Sequence, residues 1–228
     1  MSARGTLIIF EGVEGVGKTT QIRLLGDALV ARNHRHFVIR EPGGTALGDE
    51  IRRLLLELGA PVTERAEALL FMASRAQVVA EEIVPRLERG EVVIADRFFL
   101  STYAYQCGGR GLPEAVVRQA NRLATGDLVP DLTLLLDLPV RDGLARIAQR
   151  GAPDRIERSE TEFHDRVGAA FAKFRDTDWQ QAHPECGPVV MVDASGDSAA
   201  VHARIIEVLG GRWPETFRLG RSFTAEMS

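Results

Sequence analysis

Residues 6–19 read TLIIFEGVEGVGKT, and this stretch decides the fold. Thr6–Phe10 is a short apolar run of the kind that forms a buried strand. It is followed by Gly12-Val13-Glu14-Gly15-Val16-Gly17-Lys18-Thr19, which fits the spacing G-x-x-x-x-G-K-[ST]. A helical pattern then runs from about Lys18 to Ala31. Strand, glycine-rich turn and helix, in that order, make a cradle for phosphate. Glycine lets the backbone turn its N–H groups inward, and the helix offers its positive N-terminal end to the anion. In such a cradle, Lys18 reaches the β- and γ-phosphates of a nucleotide, and the Thr19 hydroxyl ligates Mg²⁺.

Outward from this stretch, further apolar runs fall at His36–Arg40, Glu91–Asp96, Leu132–Asp137 and Val189–Asp193. Between them the spacing predicts helices over Leu47–Leu58, Glu64–Arg89 (bent at Pro85), Leu100–Gln106, Pro113–Thr125, Pro139–Arg150, Thr161–Ala182 and Ser198–Leu209. Continuously apolar strands alternating with helices indicate a parallel sheet covered on both faces. Right-handed crossovers then give an α/β, three-layer P-loop NTPase fold, a five-stranded parallel sheet flanked by helices. We expect one kinase domain over 1–211. Within it, the charged, Gly- and Pro-containing stretch 150–160 reads as a mobile lid loop. A C-terminal tail, 212–228, shows no clear period and is expected to be partly disordered, with Trp213 and Phe217 docking it back on the domain.

Composition narrows the class. The chain has 228 residues, 45% of them hydrophobic, enough for one sizeable core. A net charge of −4 with mixed signs gives no basic field for a nucleic-acid polymer. No apolar run is long enough to span a bilayer, and the N-terminus enters a strand directly, without a signal-peptide pattern. Cys107 and Cys186 form neither a metal spacing nor a disulfide framework, which fits a reduced, cytoplasmic setting. Only Lys18 and Lys173 are lysine, which singles out Lys18.

A phosphate cradle alone does not separate a kinase from a GTPase or a motor. The Glu91–Asp96 run leads into Arg97, at the strand end where ligands of open α/β sheets bind. Asp96 could hold Mg²⁺ through water there, and Arg97 could clamp a phosphate. Asp137 is the rival acid, though no arginine follows it. Arg146, Arg150, Arg155 and Arg158 concentrate charge that could stabilise a transferring phosphoryl group. Phe71 and Arg75, four apart on one helix, could stack on a base and bond its edge. A guanine-reading N-K-x-D is absent, since Asn121-Arg122 continues as Leu123-Ala124. Rival readings are a kinase for another monophosphate, a nucleotide switch and a motor subunit.

Together the segments FEGVEGVGKTT, REPGGT, LLFMASRAQ, VIADRF, LSTYAYQ, PDLTLLLD and GAPDRIE resemble the thymidylate kinase family, over about Thr6–Leu209. The resemblance implies transfer of the γ-phosphoryl of ATP to dTMP with Mg²⁺, in a protein that is usually a homodimer. It implies Gly12 to Thr19 as the ATP cradle and Thr19 with Asp96 beside the metal. Glu14 would lie near the sugar 3′-hydroxyl. Phe71 would stack on thymine and Arg75 bond its edge. Arg97 would clamp the acceptor phosphate, with Arg40, Pro42 and Arg52 lining that site. Thr102 would approach the base, Tyr105 would crowd the sugar 2′ position, and Gln106 would follow on the same wall. Gly15 stands where one branch of the family has arginine, so the catalytic charge should come from the lid, as in the bacterial branch. Arg150 and Arg155 are the candidates, with Arg158 left open. Ala148 stands where some bacterial relatives have a further arginine.

Overall fold

The computed structural model describes residues 4–57, 60–148, 155–156 and 159–217. Its sheet has five strands, β1 (Thr6–Glu11), β2 (His36–Arg40), β3 (Val92–Asp96), β4 (Leu132–Asp137) and β5 (Val189–Asp193). Their spatial order is β2-β3-β1-β4-β5, and every pairing is parallel. The three central strands are buried on both faces, as their unbroken apolar runs require. Leu7, Ile8, Ile9 and Phe10 of β1, Val93, Ile94 and Ala95 of β3, and Leu132 and Leu134 of β4 have no exposed surface. The edge strands depart from the expectation of full cover, because each has a neighbour on one side only. Val38 of β2 and Met191 of β5 are exposed.

Register places the functional edge. Phe10 of β1 pairs with Asp96 of β3, and Asp96 pairs with Arg40 of β2. The loops after these three strands therefore open side by side at the carboxyl end of the sheet. There the chain switches from one half of the sheet to the other, which is where α/β folds place ligands.

Helices α1 (Lys18–Val30), α2 (Ala46–Glu57) and α3 (Glu64–Val78) follow in order. The single helix expected over Glu64–Arg89 is interrupted. After α3 comes a π-helical stretch, Val79–Ile83, and then α4 (Val84–Glu88) with Pro85 in its first turn. Proline has no N–H to donate and its ring crowds the carbonyl four residues back, so the wider turn ahead of it absorbs the mismatch. The short helix expected at Leu100–Gln106 starts as α5 (Phe99–Thr102) and widens into a second π-helical stretch, Tyr103–Gly109. α6 spans Glu114–Thr125 and α7 spans Val140–Ala148. Thr161–Ala182 is also two helices, α8 (Thr161–Lys173) and α9 (Thr177–Ala182). The break is an N-cap. The Asp176 carboxylate accepts from Asp178 N at 2.7 Å and Trp179 N at 3.3 Å.

Helical structure continues further than the sequence pattern suggests. α10 (Ser198–Arg212) runs past Leu209 and α11 (Pro214–Phe217) follows it. Phe217 is 2% exposed and lies edge-on to Trp213, so burial of two aromatic rings keeps this segment on the domain. The rest of the tail and most of the lid stretch 150–160, including Arg150 and Arg158, lie outside the described residues.

Candidate active site

The turn between β1 and α1 takes backbone conformations that suit glycine. Gly12 has φ 137, and a Cβ there would stand 2.5 Å from Leu136 O. Gly15 has φ 71, and a Cβ there would stand 2.1 Å from Gly143 O of α7. A side chain at position 15 would therefore drive the turn off α7. Val13 and Val16 are buried beneath the turn, while Glu14, Gly15, Gly17, Lys18 and Thr19 face the cleft.

Lys18 is 6% exposed, and its Nζ donates to Gly12 O at 2.8 Å and Val13 O at 3.0 Å. Burial, with Arg97 nearby, lowers its pKa from 10.5 to about 7. Thr19 Oγ1 donates to Asp96 Oδ2 at 3.4 Å, while Asp96 Oδ1 is buried with no hydrogen-bond partner among the described residues. The rival acid, Asp137, is ion-paired with Arg175 and does not line the cleft that Asp96 lines. A hydroxyl and an under-satisfied carboxylate beside a phosphate cradle suit Mg²⁺, which takes few protein ligands and keeps several waters.

Arg97 leaves β3 with φ 77, an unusual conformation for a bulky residue. Several bonds enforce it. Arg97 N donates to Phe10 O at 3.0 Å. The buried carboxylate of Glu11 accepts from Phe98 N at 2.7 Å, Ser101 N at 3.0 Å and Ser101 Oγ at 2.6 Å. A strained turn tied down this firmly is characteristic of functional sites. The guanidinium of Arg97 donates to Ser101 Oγ at 3.0 Å, lies 3.7 Å from Glu14 and stands 5.1 Å from the centre of the Tyr105 ring. Burial works against its charge, but Tyr105, Glu14 and Asp96 outweigh that and hold its pKa above the ordinary value. Tyr105 donates its hydroxyl to Glu14 Oε1 at 3.0 Å.

Every residue that the resemblance assigns to the acceptor lines one cleft of ≈ 310 Å³. These are Glu14, Arg40, Pro42, Arg52, Phe71, Arg75, Arg97, Thr102, Tyr105 and Gln106, with Lys18, Thr19 and Asp96 at the cradle end. At the far end Arg75 is 2% exposed and commits all five of its N–H donors. Nε and Nη2 donate to Glu41 Oε2 at 2.8 and 2.5 Å, and Nη2 also donates to Phe98 O at 2.9 Å. Nη1 donates to Thr102 Oγ1 at 2.9 Å and to Asn121 Oδ1. Phe98 and Phe99 pack on the guanidinium. Burial raises the pKa of Glu41 against the pull of Arg75.

Several cleft residues were not singled out in advance: Glu41, Leu56, Ser101 and Ile156. Glu41, Ser101 and Ile156 lie inside segments that carry the resemblance, so their position was the available signal. Behind them stand Glu11, Glu67 and Asn121, which do not line the cleft; Glu11 lies inside a segment that carries the resemblance, whereas Glu67 and Asn121 lie in none. Arg146 is half-buried on α7. Arg155 is not among the residues that line the cleft, and its Nη2 donates to Glu67 Oε2 at 2.7 Å.

Comparison with known proteins identifies the family. A family profile described as Thymidylate kinase matches residues 10–205. A thymidylate kinase of Carboxydothermus hydrogenoformans is 51% identical over 168 residues, covering 74% of this chain and 83% of that protein. One from Geobacter sp. (strain M21) is 44% identical over 223 residues, covering 95% and 96%. One from Synechococcus sp. (strain JA-2-3B'a(2-13)) is 46% identical over 207 residues, covering 91% and 95%.

Proposed function

The chain belongs to the thymidylate kinase family, and we propose that this one cleft carries both halves of that family's reaction. The protein is an ATP-dependent nucleoside monophosphate kinase. It transfers the γ-phosphoryl group of ATP to dTMP, giving dTDP and ADP on the route to dTTP. The observation that carries the residue assignment is the cleft itself, with Lys18 at one end and Phe71 beside Arg75 at the other.

A phosphate oxygen of dTMP attacks the γ-phosphorus in line as the bond to the ADP oxygen breaks. The nucleophile is already an anion, so neither a strong base nor a covalent enzyme intermediate is needed. The protein supplies position and charge. Lys18 exchanges its two carbonyl partners for phosphate oxygens. Arg97, held by the Glu11–Ser101 turn, clamps the acceptor phosphate, with Arg40, Pro42 and Arg52 around it. Positive charge for the transferring group is assigned to a lid arginine, with Arg150 and Arg158 as the candidates. Mg²⁺, bound through Thr19 and Asp96, would neutralise phosphate charge. Phe71 stacks on the base, and Arg75 with Thr102 and Gln106 shapes its edge. Since the donors of Arg75 are all engaged, a base oxygen here must share one of them. Glu14 takes the sugar 3′-hydroxyl, and Tyr105, fixed by Glu14, fills the 2′ side.

No described helix is long and apolar enough to cross a membrane, and a cytoplasmic enzyme is the reading we adopt. A homodimer is part of the same reading. α3 and α6 pack together and leave Leu69, Val116 and Leu123 exposed at 65%, 61% and 87%. Light scattering on the purified protein, repeated with Leu123→Asp, tests that face.

The activity test is direct. The protein is incubated with Mg·ATP and each nucleoside monophosphate separately, and ADP release is followed. We expect fast release with dTMP, well ahead of dUMP. Fast release with another acceptor would overturn the base pocket. Slow release indifferent to every acceptor would remove the assignments beyond the cradle.

A further inference from the structure

We propose that Glu67 is a positioning residue of the acceptor pocket. By gripping Arg155 it seats Ile156 as part of the pocket wall. The inference rests on the reading of this pocket as the dTMP site.

Glu67, Phe71 and Arg75 succeed one another at intervals of four on α3, so they share one face of that helix. The last two line the cleft and the first lies behind its wall. Glu67 is 1% exposed, and a carboxylate that deep is costly unless donors surround it. They do. Arg110 bonds it twice, Nε to Oε1 at 3.0 Å and Nη2 to Oε2 at 3.1 Å. Arg155 Nη2 donates to Oε2 at 2.7 Å, and Gln106 Nε2 reaches Oε1 at 3.3 Å. Burial alone would raise its pKa, but the bonds from Arg110 and Arg155 outweigh burial and hold it below the ordinary value.

The second half of the grip is at the end of α2. Arg155 Nε donates to Leu55 O at 2.6 Å, and its backbone N to Leu56 O at 3.4 Å. These carbonyls belong to the last described turn of α2, the part of a helix whose carbonyls accept from groups outside it. A guanidinium placed there also meets the negative end of the helix. Arg155 thus bridges the last described turn of α2 to the first turn of α3. Its neighbour Ile156 is held 7% exposed and lines the cleft with Leu56, Phe71 and Gln106. With Nε and Nη2 committed on this side, Arg155 serves acceptor binding here, and the charge on the transferring group falls to other residues.

The test separates KM from kcat in Glu67→Gln, Arg155→Met, the double variant and Ile156→Ala, with a thermal melt of each. We expect a KM for dTMP raised about tenfold in both single variants, with kcat and the KM for ATP within about threefold, and a double variant no worse than either single. Ile156→Ala should move the same constant in the same direction. An Arg155→Met enzyme with kcat down about 100-fold and an unchanged KM for dTMP would place Arg155 on the phosphoryl group and overturn the proposal. Wild-type constants in both single variants would overturn it too. If Glu67→Gln fails to fold, the other two decide. A shift in Ile156→Ala without one in Arg155→Met counts against the grip. A wild-type enzyme that ignores dTMP would instead sink the pocket reading itself.

Discussion

The phosphate cradle and the acceptor pocket share one cleft and are built in opposite ways. The cradle is a run of consecutive residues, 12–19, shaped by glycine conformations and closed by one lysine. The pocket draws side chains from Glu14 to Ile156 and is braced by two buried polar clusters, Arg75 with Glu41 and Asn121, and Glu67 with Arg110 and Arg155. In the cradle, shape is a property of the backbone and chemistry is a property of Lys18. In the pocket the two are the same set of bonds. A cradle mutation should therefore abolish turnover and spare the fold, whereas a mutation in either cluster should weaken both.

Lys18→Ala is the largest effect on that view. Turnover should fall about 10³-fold, because charge aimed at the transferring group is lost. The melting temperature should stay level or rise, since a cation that burial disfavours is removed. Steady-state kinetics and a thermal melt on the same preparation check both halves, and near-normal turnover would withdraw Lys18 from catalysis.

Arg75→Met should do the reverse. It strands Glu41, and breaking a buried ion pair costs about 3 kcal/mol or more. That is a fall of roughly 10 °C in Tm for a domain of this size, together with weaker use of dTMP. A variant as stable as wild type would show that this cluster is not what holds the pocket. Phe71→Ala lies between the two regions in kind, because the ring is only half-buried. Loss of base stacking, about 1–3 kcal/mol, predicts a KM for dTMP raised about 5- to 150-fold with the KM for ATP unchanged. Equal changes in both constants would mean that the ring supports the cleft and does not read the base.

The same contrast explains what could be read in the sequence. The cradle was legible because its elements are adjacent in the chain: apolar strand, spaced glycines, lysine, helix. The five strands were legible because central parallel strands are apolar throughout. What escaped was set by partners far off in the chain. Glu11 reads as the last residue of a strand until Phe98 and Ser101 fold onto its carboxylate. Glu67 reads as an ordinary first-turn acid of α3 until Arg110 and Arg155 reach it. Two helix breaks have local causes. The bend expected at Pro85 came from its missing N–H, whereas periodicity ran through Asp176, whose capping carboxylate overrode it.

The smallest expected effect concerns the charge of Lys18 itself. Its pKa is about 7 in the free protein, so at that pH about half the cradles lack a cation. Phosphate oxygens favour the charged form, so ATP binding at neutral pH must take up about half a proton per site. Titration calorimetry at pH 7 in buffers of different ionisation enthalpy should read that uptake as a slope. The slope should shrink at pH 6, where the lysine is already charged. ATP affinity should fall by up to about tenfold per unit as pH rises above 7, until the pKa of the bound state is passed. Stability has its own sign. Between about 7 and 10.5 the unfolded chain holds this proton and the folded one has released it. Stability from Lys18 therefore rises with pH across that window, and the penalty is full below it. Lys18→Met should remove this dependence, so its Tm advantage over wild type should shrink as pH is raised from 7 to about 9. A zero calorimetric slope, with a constant Tm gap, would mean that the cradle keeps its lysine charged despite burial. The cradle would then rely on buried electrostatics no less than the pocket does, and the contrast between them would rest on backbone shape alone.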